Sequence, residues 1–502
     1  MRLNKYLNPT VKRKLLSLFG WGLIFIGISF RLILFFQNRN LIIDEANIVR
    51  NIYERDFIGL LKPLSYQQYA PPLFLWMEEL WSLLLGYSEQ AMRLTALICG
   101  ISALFVYRKL LRKILPEYSS LLPLGLFCFA PIVAKYATEV KQYIPDAFVA
   151  ISLVYTALVL PQFSTTRFRF VAQWILVGSI AIWAAQPSVF VLASVGLYYF
   201  VQCLMDKRWT YIPALLLIGA IWLSQFFIYY WFILRQQINS DYLQSYHQNY
   251  FLFLLPQSSS EWQHNGLRMV EIINNSVGYY LVPFYLGTIL ILVGFFSLLR
   301  KSMSLFLLLV APIALTLFAA ALHQFSLIER VCIFILPFMM ILAGFGLDYF
   351  IQLGNKVVTI GATLAALLIL SLHNFGSLFY RQYQFQELTR GLDYLLQQKA
   401  SGTALYVDCA SRDTYIYYTQ IHPHKDKYAP LKAAYLFDWV QDDFATVSRK
   451  IKGPNAYFIF TGGHPDARYR HLKQMEVSLN MIDSFTYKYC YVYRFATKQV
   501  PQ

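Results

Sequence analysis

"PPLFLWMEELWSLLLGYS", Pro71 to Ser88, decides how the chain is threaded. The stretch is apolar but short, and it carries Glu78 and Glu79 in its middle. A helix that crosses a bilayer needs roughly 20 apolar residues. If this one crossed, the basic segments "YRKLLRK" (Tyr107 to Lys113), "RFRF" (Arg167 to Phe170) and "MDKRW" (Met205 to Trp209) would all face outward. Lys and Arg in short loops favour the cytoplasmic side. If the stretch instead lies flat on the outer surface as an amphipathic helix, each basic segment falls in the cytoplasm. The flat reading is therefore taken, and the rest of the topology follows.

The chain has 502 residues, 57% of them hydrophobic and 14% charged. Soluble domains carry roughly a quarter charged residues, so the composition is that of a polytopic helical membrane protein. The first apolar run is flanked by "VKRK" (Val11 to Lys14) and lacks a small-residue cleavage site, which predicts a retained helix. A net charge of +16 would point to nucleic acid in a soluble protein. Here the excess sits in short loops and sets orientation, so no nucleic-acid partner is expected. Cys99, Cys128, Cys203 and Cys332 lie in or beside apolar runs as packing residues, while Cys409 and Cys490 lie in the polar C-terminal region, where a disulfide is left open. No CxxC or CxxH spacing suggests structural zinc.

Apolar length and basic loops together predict about eleven spans: Leu15–Phe36, Ala91–Leu111, Leu121–Tyr136, Ala147–Leu160, Phe170–Ala185, Val189–Leu204, Tyr211–Phe232, Tyr279–Leu299, Leu305–Leu322, Val331–Phe350 and Val357–Leu372. The N-terminus is cytoplasmic in this threading, and Leu234 to Val277 forms a long outer loop. Residues 1–378 make a transmembrane domain. Residues 379–502 make a small α/β domain on the outer side, in which "GTALYVDCASRDTYIYYT", "NAYFIFTGG" and "YKYCYVYRF" read as strands and "ARYRHLKQME" as a helix.

The outer rim then collects the chemically suggestive groups. Asp44 and Glu45 come from "LIIDEANIVR", Glu139 and Lys141 from "YATEVKQYIPDAF", and His323, Glu329 and Arg330 from "HQFSLIER". Each has a plainer use: Asp44 as a helix cap, Glu139 and Lys141 as interfacial charges, Arg330 as a snorkelling anchor, His323 as a rim histidine. His247 and His264 are read as ordinary loop residues. "TGGHPD" (Thr461 to Asp466) lacks phosphate-loop spacing and is read as a turn. Taken jointly, acids and cations beside a membrane suit transfer from a phosphate-linked lipid. A carboxylate deprotonates an acceptor hydroxyl, and Lys or Arg stabilises the departing phosphate.

The order of motifs resembles the GT-C superfamily of polyprenyl-phosphate-sugar glycosyltransferases, in the branch of protein O-mannosyltransferases and the lipid A aminoarabinose transferase. The acidic pair Asp44-Glu45 follows the first span, "YAPPLFLW" (Tyr69 to Trp76) resembles the family's "PPL" helix, and "AMRLTALICGISALFVYRKLL" resembles its "RLPSAL…LLY" span. "YATEVKQYIPDAF" resembles "YSREARPYAL", and "ERVCIFILPFMMILAG" resembles the late "RY…P…P" helix, with Val331 where tyrosine is usual. The resemblance implies an inverting glycosyltransferase of the cell envelope. It would move a hexose or pentose from a polyprenyl phosphate to a glycan, lipid or protein acceptor on the outer face of a membrane, here a bacterial inner membrane with the C-terminal domain in the periplasm. It implies Asp44 as general base with Glu45 as its orienting partner, Lys141 and Arg330 on the donor phosphate, and Glu139 as a second, substrate-orienting acid. Gln68, Tyr69 and Ala70 stand where relatives carry an acid and a lysine, so no metal site is assigned. A divalent metal stays open, with Glu139 and His323 as weak candidate ligands, and no other cofactor is implied. Two rival readings remain: an O-antigen-type polymerase or ligase using a pyrophosphate-linked oligosaccharide, and a non-enzymatic lipid-sugar flippase or transporter.

Overall fold

The structure, a computed structural model, describes residues 9–160, 166–238, 240–278, 281–354, 361, 386–400, 403–437, 455–462, 465–477 and 479–497. It begins with α1 (Pro9–Phe36), a short connector, and α2 (Ile43–Tyr53). The stretch that decides the threading forms α3 (Pro72–Leu85), opened by proline at its first turn. At 14 residues it is about 21 Å long, short of the roughly 30 Å hydrocarbon core. Its acids do not face water as an ordinary amphipathic surface helix would place them. Glu78 and Glu79 are buried against the protein, while Leu80, Leu83, Leu84 and Leu85 are exposed.

The short α4 (Glu89–Met92) is capped by Ser88 and leads into α5 (Leu94–Ile114). The expected third span is broken into α6 (Glu117–Phe129) and α7 (Pro131–Tyr136). Pro131 has no N–H to offer the carbonyl four residues earlier, that of Phe127. Arg31, fully buried in α1, reaches across instead: its guanidinium donates to Phe127 O at 3.5 Å and to Cys128 O at 3.3 Å. Then come α8 (Tyr143–Val159), α9 (Arg167–Ala184), α10 (Ser188–Met205) and α11 (Ile212–Tyr229). The long predicted loop is largely helical, with α12 (Arg235–Ile238), α13 (Asp241–His247) and α14 (Ser259–Val277), and the bundle closes with α15 (Leu281–Lys301), α16 (Met303–Ala321) and α17 (Leu336–Leu353).

Seven helices among the described residues are long and apolar enough to cross a membrane: Arg13–Phe36, Leu94–Ile114, Ser188–Met205, Trp209–Leu234, Phe284–Lys301, Met303–Ala321 and Ile333–Leu353. The α6–α7 pair, α8 and α9 occupy the sequence positions of three more expected spans. The expected eleventh, Val357 to Leu372, and the boundary at 378/379 lie outside the described residues.

The C-terminal region contributes α18 (Leu388–Gln398), β1 (Ala404–Val407), α19 (Cys409–Ile416), β2 (Tyr435–Leu436), β3 (Asn455–Thr461), α20 (Pro465–Glu476), β4 (Leu479–Tyr487) and β5 (Cys490–Thr497). The sheet order is β2-β1-β3-β5-β4, parallel on the β2–β1–β3 side and antiparallel from β3 to β4. Two strand expectations are corrected. "GTALYVDCASRDTYIYYT" is strand only to Val407, because the Asp408 carboxylate accepts from Ala410 N at 3.0 Å and starts α19. "YKYCYVYRF" bends at Lys488 and Tyr489, both at positive φ, and so joins β4 to β5 in a two-residue hairpin. Cys409 and Cys490, whose pairing was left open, are both buried and free.

Four buried hydrophobic clusters form among the described residues. The largest lies within the bundle, and the second is shared: Leu41, Ile48, Val49, Ile52 and Phe74 from the first loop pack with Leu388, Leu392, Tyr417 and Tyr418 of the C-terminal region. In the bundle, α15 and α17 touch backbone to backbone. A Cβ on Gly294 would meet Leu342 O at 1.8 Å, and one on Gly346 would meet Leu290 O at 2.0 Å. Small residues of this kind let membrane helices approach closely. Gly294→Ala or Gly346→Ala is therefore expected to cost about 1–3 kcal/mol, read as a lower thermal midpoint of the detergent-solubilised protein. An unchanged midpoint would show that the two helices separate without penalty.

Candidate active site at the α2 rim

The two acids that open α2 look equivalent in sequence, yet they have opposite environments. Successive residues on a helix point about 100° apart. Glu45 turns inward and is 0% exposed. Its Oε1 accepts from Arg93 Nε at 2.9 Å and Val140 N at 3.0 Å, and its Oε2 from Arg93 Nη2 at 2.9 Å and Ile42 N at 3.1 Å. Arg93 also donates to the carbonyls of Arg39 (2.8 Å) and Asn40 (3.3 Å), tying the α1–α2 connector to the start of α5. Burial alone would raise the Glu45 carboxyl, but Arg93, Arg39 and the Val140 N–H outweigh it and hold it below the usual carboxylate range. Glu45 thus does not face the opening, and what orienting it does, as expected of the partner of Asp44, is through the start of α2. Its oxygens are already used in holding α2.

Asp44, one position earlier, keeps about a third of its side chain exposed (35%). Arg330 Nη2 lies 3.9 Å from Asp44 Oδ2, and Arg330 also donates to the Tyr246 hydroxyl at 3.2 Å. Lys141 is buried and donates from Nζ to Gln68 Oε1 at 2.6 Å. The ammonium of Lys141 is the largest influence on Asp44. With Arg330 and a Gln68 hydrogen bond, it holds the carboxyl below its ordinary value against burial and the neighbouring Glu45. Lys141 itself is pushed down, by burial first and by Arg330, with Asp44 opposing.

Glu139 lies elsewhere in the charge pattern. It is buried, pairs with Arg39 Nη2 at 3.2 Å and lies 3.7 Å from Lys135 Nζ. Arg39 also donates to Thr138 O at 2.9 Å, so this acid shapes the loop that presents Lys141. His323 adopts positive φ and stacks flat on Phe251, with ring centroids 4.9 Å apart. Among the described residues no group of three or more His, Cys, Asp and Glu is arranged to hold a metal, so neither Glu139 nor His323 belongs to such a cluster.

The charges therefore sort themselves. Glu45 is matched by Arg93 and Glu139 by Arg39, which leaves Asp44 facing both Lys141 and Arg330. The opening combines the Asp44 carboxylate, able to accept a proton, with the Lys141 and Arg330 side chains that face it. Cations so placed suit an anion. Sequence reasoning brought Asp44, Lys141 and Arg330 to one rim but missed Arg93, Gln68 and Tyr246. Arg93 stood at the start of an apolar run, where a snorkelling arginine is ordinary. Gln68 stood out only as a departure from the family's acid, and Tyr246 carried no signal beyond being polar.

The Glu45–Arg93 pair yields a measurable consequence. Removing one partner of a buried ion pair typically costs about 3–5 kcal/mol, so Glu45→Gln should lower stability at neutral pH by an amount of that order. A lowered carboxyl stabilises the fold fully above its unfolded value of 4.5, and that contribution fades as pH falls through the folded value. Unfolding in detergent should therefore show a gap between wild type and Glu45→Gln that is constant above pH 4.5 and shrinks below it. A gap independent of pH throughout the acid range would contradict the pairing.

No protein-family profile matches the chain, and no curated protein sequence does. Solved structures do. ArnT from Cupriavidus metallidurans in the apo state superposes with a TM-score of 0.54 at 14% identity, over 95% of this chain and 98% of that one. The same protein bound to undecaprenyl phosphate gives a TM-score of 0.54 at 14% identity, over 97% and 98%. The oligosaccharyltransferase of Archaeoglobus fulgidus, in complex with Zn and sulfate, gives 0.50 at 12% identity, over 94% of this chain and 72% of that one. At such identities the likeness is one of fold. It extends over nearly the whole chain, so the chain shares the overall fold of ArnT.

Proposed function

We propose that the chain is an inverting glycosyltransferase that moves a sugar from a polyprenyl phosphate to an acceptor hydroxyl on the outer face of the membrane. The observation that carries the reading is the Asp44 carboxylate set between Lys141 and Arg330 at the partly open rim. Its fold is shared with a transferase that has been seen bound to undecaprenyl phosphate, which supports the choice of donor.

The acceptor oxygen attacks the anomeric carbon while its proton passes to the Asp44 carboxylate. The bond between that carbon and the donor phosphate oxygen breaks, and its electron pair leaves with the lipid phosphate. The departing phosphate gains a negative charge, which the Lys141 ammonium and the Arg330 guanidinium stabilise. Displacement from the opposite face inverts the anomeric centre. Asp44 is suited to the base role because Lys141 and Arg330 keep it ionised at neutral pH. Glu45 acts through the backbone: its bonds to Arg93, Ile42 and Val140 fix where α2 starts and hence where Asp44 points. Glu139 orients the Lys141 loop through Arg39.

The test is transfer of radiolabelled sugar from a panel of polyprenyl-phosphate monosaccharides into membranes. Asp44→Asn should lower turnover by roughly two orders of magnitude, about 3 kcal/mol of transition-state stabilisation, with the variant inserted and folded as wild type. Equal transfer by wild type and variant would remove Asp44 from the chemistry. Absence of transfer from every monosaccharide donor would favour a pyrophosphate-linked oligosaccharide or a transport function.

A further inference from the structure

The ion cluster adjoins an open cleft, and three separate segments run from one to the other. Gln68 holds Lys141, and the next residue, Tyr69, lines the cleft. Arg330 faces Asp44, and Val331 lines the cleft. Tyr246 accepts from Arg330, and His247 lines the cleft. One lining residue thus directly follows Arg330 in the chain, and two others directly follow residues hydrogen-bonded to Lys141 or Arg330. The rest of the lining includes Gln186, at the turn between α9 and α10, Gln244, and His323 lying flat on Phe251, with Leu234, Leu243 and Phe325 among its apolar members.

The chemistry of this lining is consistent. Carboxamides, imidazoles and a phenol each donate and accept hydrogen bonds, which is what a ring of hydroxyls requires, and aromatic faces supply apolar walls. No Asp, Glu, Lys or Arg is among the described residues that line it. His247 is held down to about 4, by burial and then by Arg330, so it is neutral at physiological pH. The buried carboxylate of Asp146 comes within electrostatic range of Tyr69 but lines no part of the cleft. An ammonium placed here would lose its water, find no carboxylate on the walls, and lie near the Arg330 guanidinium that already disfavours a protonated His247. Such a group is costly to bury unpaired.

We propose that this cleft seats the sugar being transferred, and that this sugar is a neutral, hydroxyl-rich monosaccharide rather than a cationic amino sugar. The inference rests on the transferase reading above and adds the class of donor. The purified full chain in liposomes is given undecaprenyl-phosphate mannose or undecaprenyl-phosphate 4-amino-4-deoxyarabinose, and release of sugar to water is followed alongside transfer. The neutral donor should be turned over at least tenfold more efficiently. Gln186→Ala and Gln244→Ala should each raise the KM for that donor severalfold in the water-release reaction, with kcat little changed. Gln244→Glu, which supplies a carboxylate, should shift the preference toward the amino sugar. A wild type that prefers the amino-sugar donor overturns the inference while leaving the transferase reading intact. So does an unchanged donor KM in both alanine variants, including the case in which only acceptor dependence changes, since the cleft would then seat the acceptor. If wild type turns over no donor of either kind, the transferase reading itself fails and this inference falls with it.

Discussion

The buried contact between Glu45 and Arg93 governs the geometry of the whole rim. One carboxylate and one guanidinium, with all their facing atoms used, join the end of α1, the start of α2, the start of α5 and the loop before α8. The network continues outward. Glu89 on α4 accepts from the Tyr418 hydroxyl at 2.7 Å and lies 3.1 Å from His422 Nε2, and Tyr418 in turn accepts from Leu41 N at 3.0 Å. Arg50 of α2 pairs with Asp413 of α19. Buried ion pairs are weak evidence for net stability, since desolvation offsets most of the attraction. Their value here is positional: only one register of α2 lets Glu45 reach Arg93 while its neighbour faces out.

That register makes the two adjacent acids into different devices. Glu45 is enclosed and satisfied, and Asp44 meets solvent between two cations. The C-terminal region belongs to the same mechanical unit, because its tyrosines and leucines complete the core beneath α2. A transfer reaction at the membrane boundary needs a base that stays ionised and a phosphate seat that stays charged. In the proposed mechanism the first need is met by Lys141 and Arg330, which hold the Asp44 carboxyl below its ordinary value, and the second rests chiefly on the Arg330 guanidinium.

Much of this was legible in the sequence, and the rest was hidden for physical reasons. Apolar length and basic loops located the helices of the bundle, and Pro71–Ser88 forms a helix of only 14 residues, though its acids are buried where an amphipathic surface helix would expose them. The rim position of Asp44, Lys141 and Arg330 followed from that threading, and the structure brings the three together. The division of labour between Asp44 and Glu45 was not legible, because neighbouring acids differ only in which way the helix turns them. Arg93 resembled a membrane anchor, and its partner lies 48 positions earlier in the chain. Strand reading failed at Asp408, where a cap residue hides inside a run of aromatics. The close packing of α15 on α17 had no periodic signature at all.

The central claim is that Lys141 and Arg330 form a seat for a lipid phosphate with Asp44 as the neighbouring base. The most direct measurement is the affinity for undecaprenyl phosphate alone, without a sugar, in wild type and in three variants. Arg330→Gln and Lys141→Gln should each weaken binding at least tenfold, whereas Asp44→Asn should bind as tightly as wild type or tighter, because it removes a negative charge from beside the phosphate. Equal affinity in all four proteins, or a loss in Asp44→Asn as large as in the cation variants, would contradict the account.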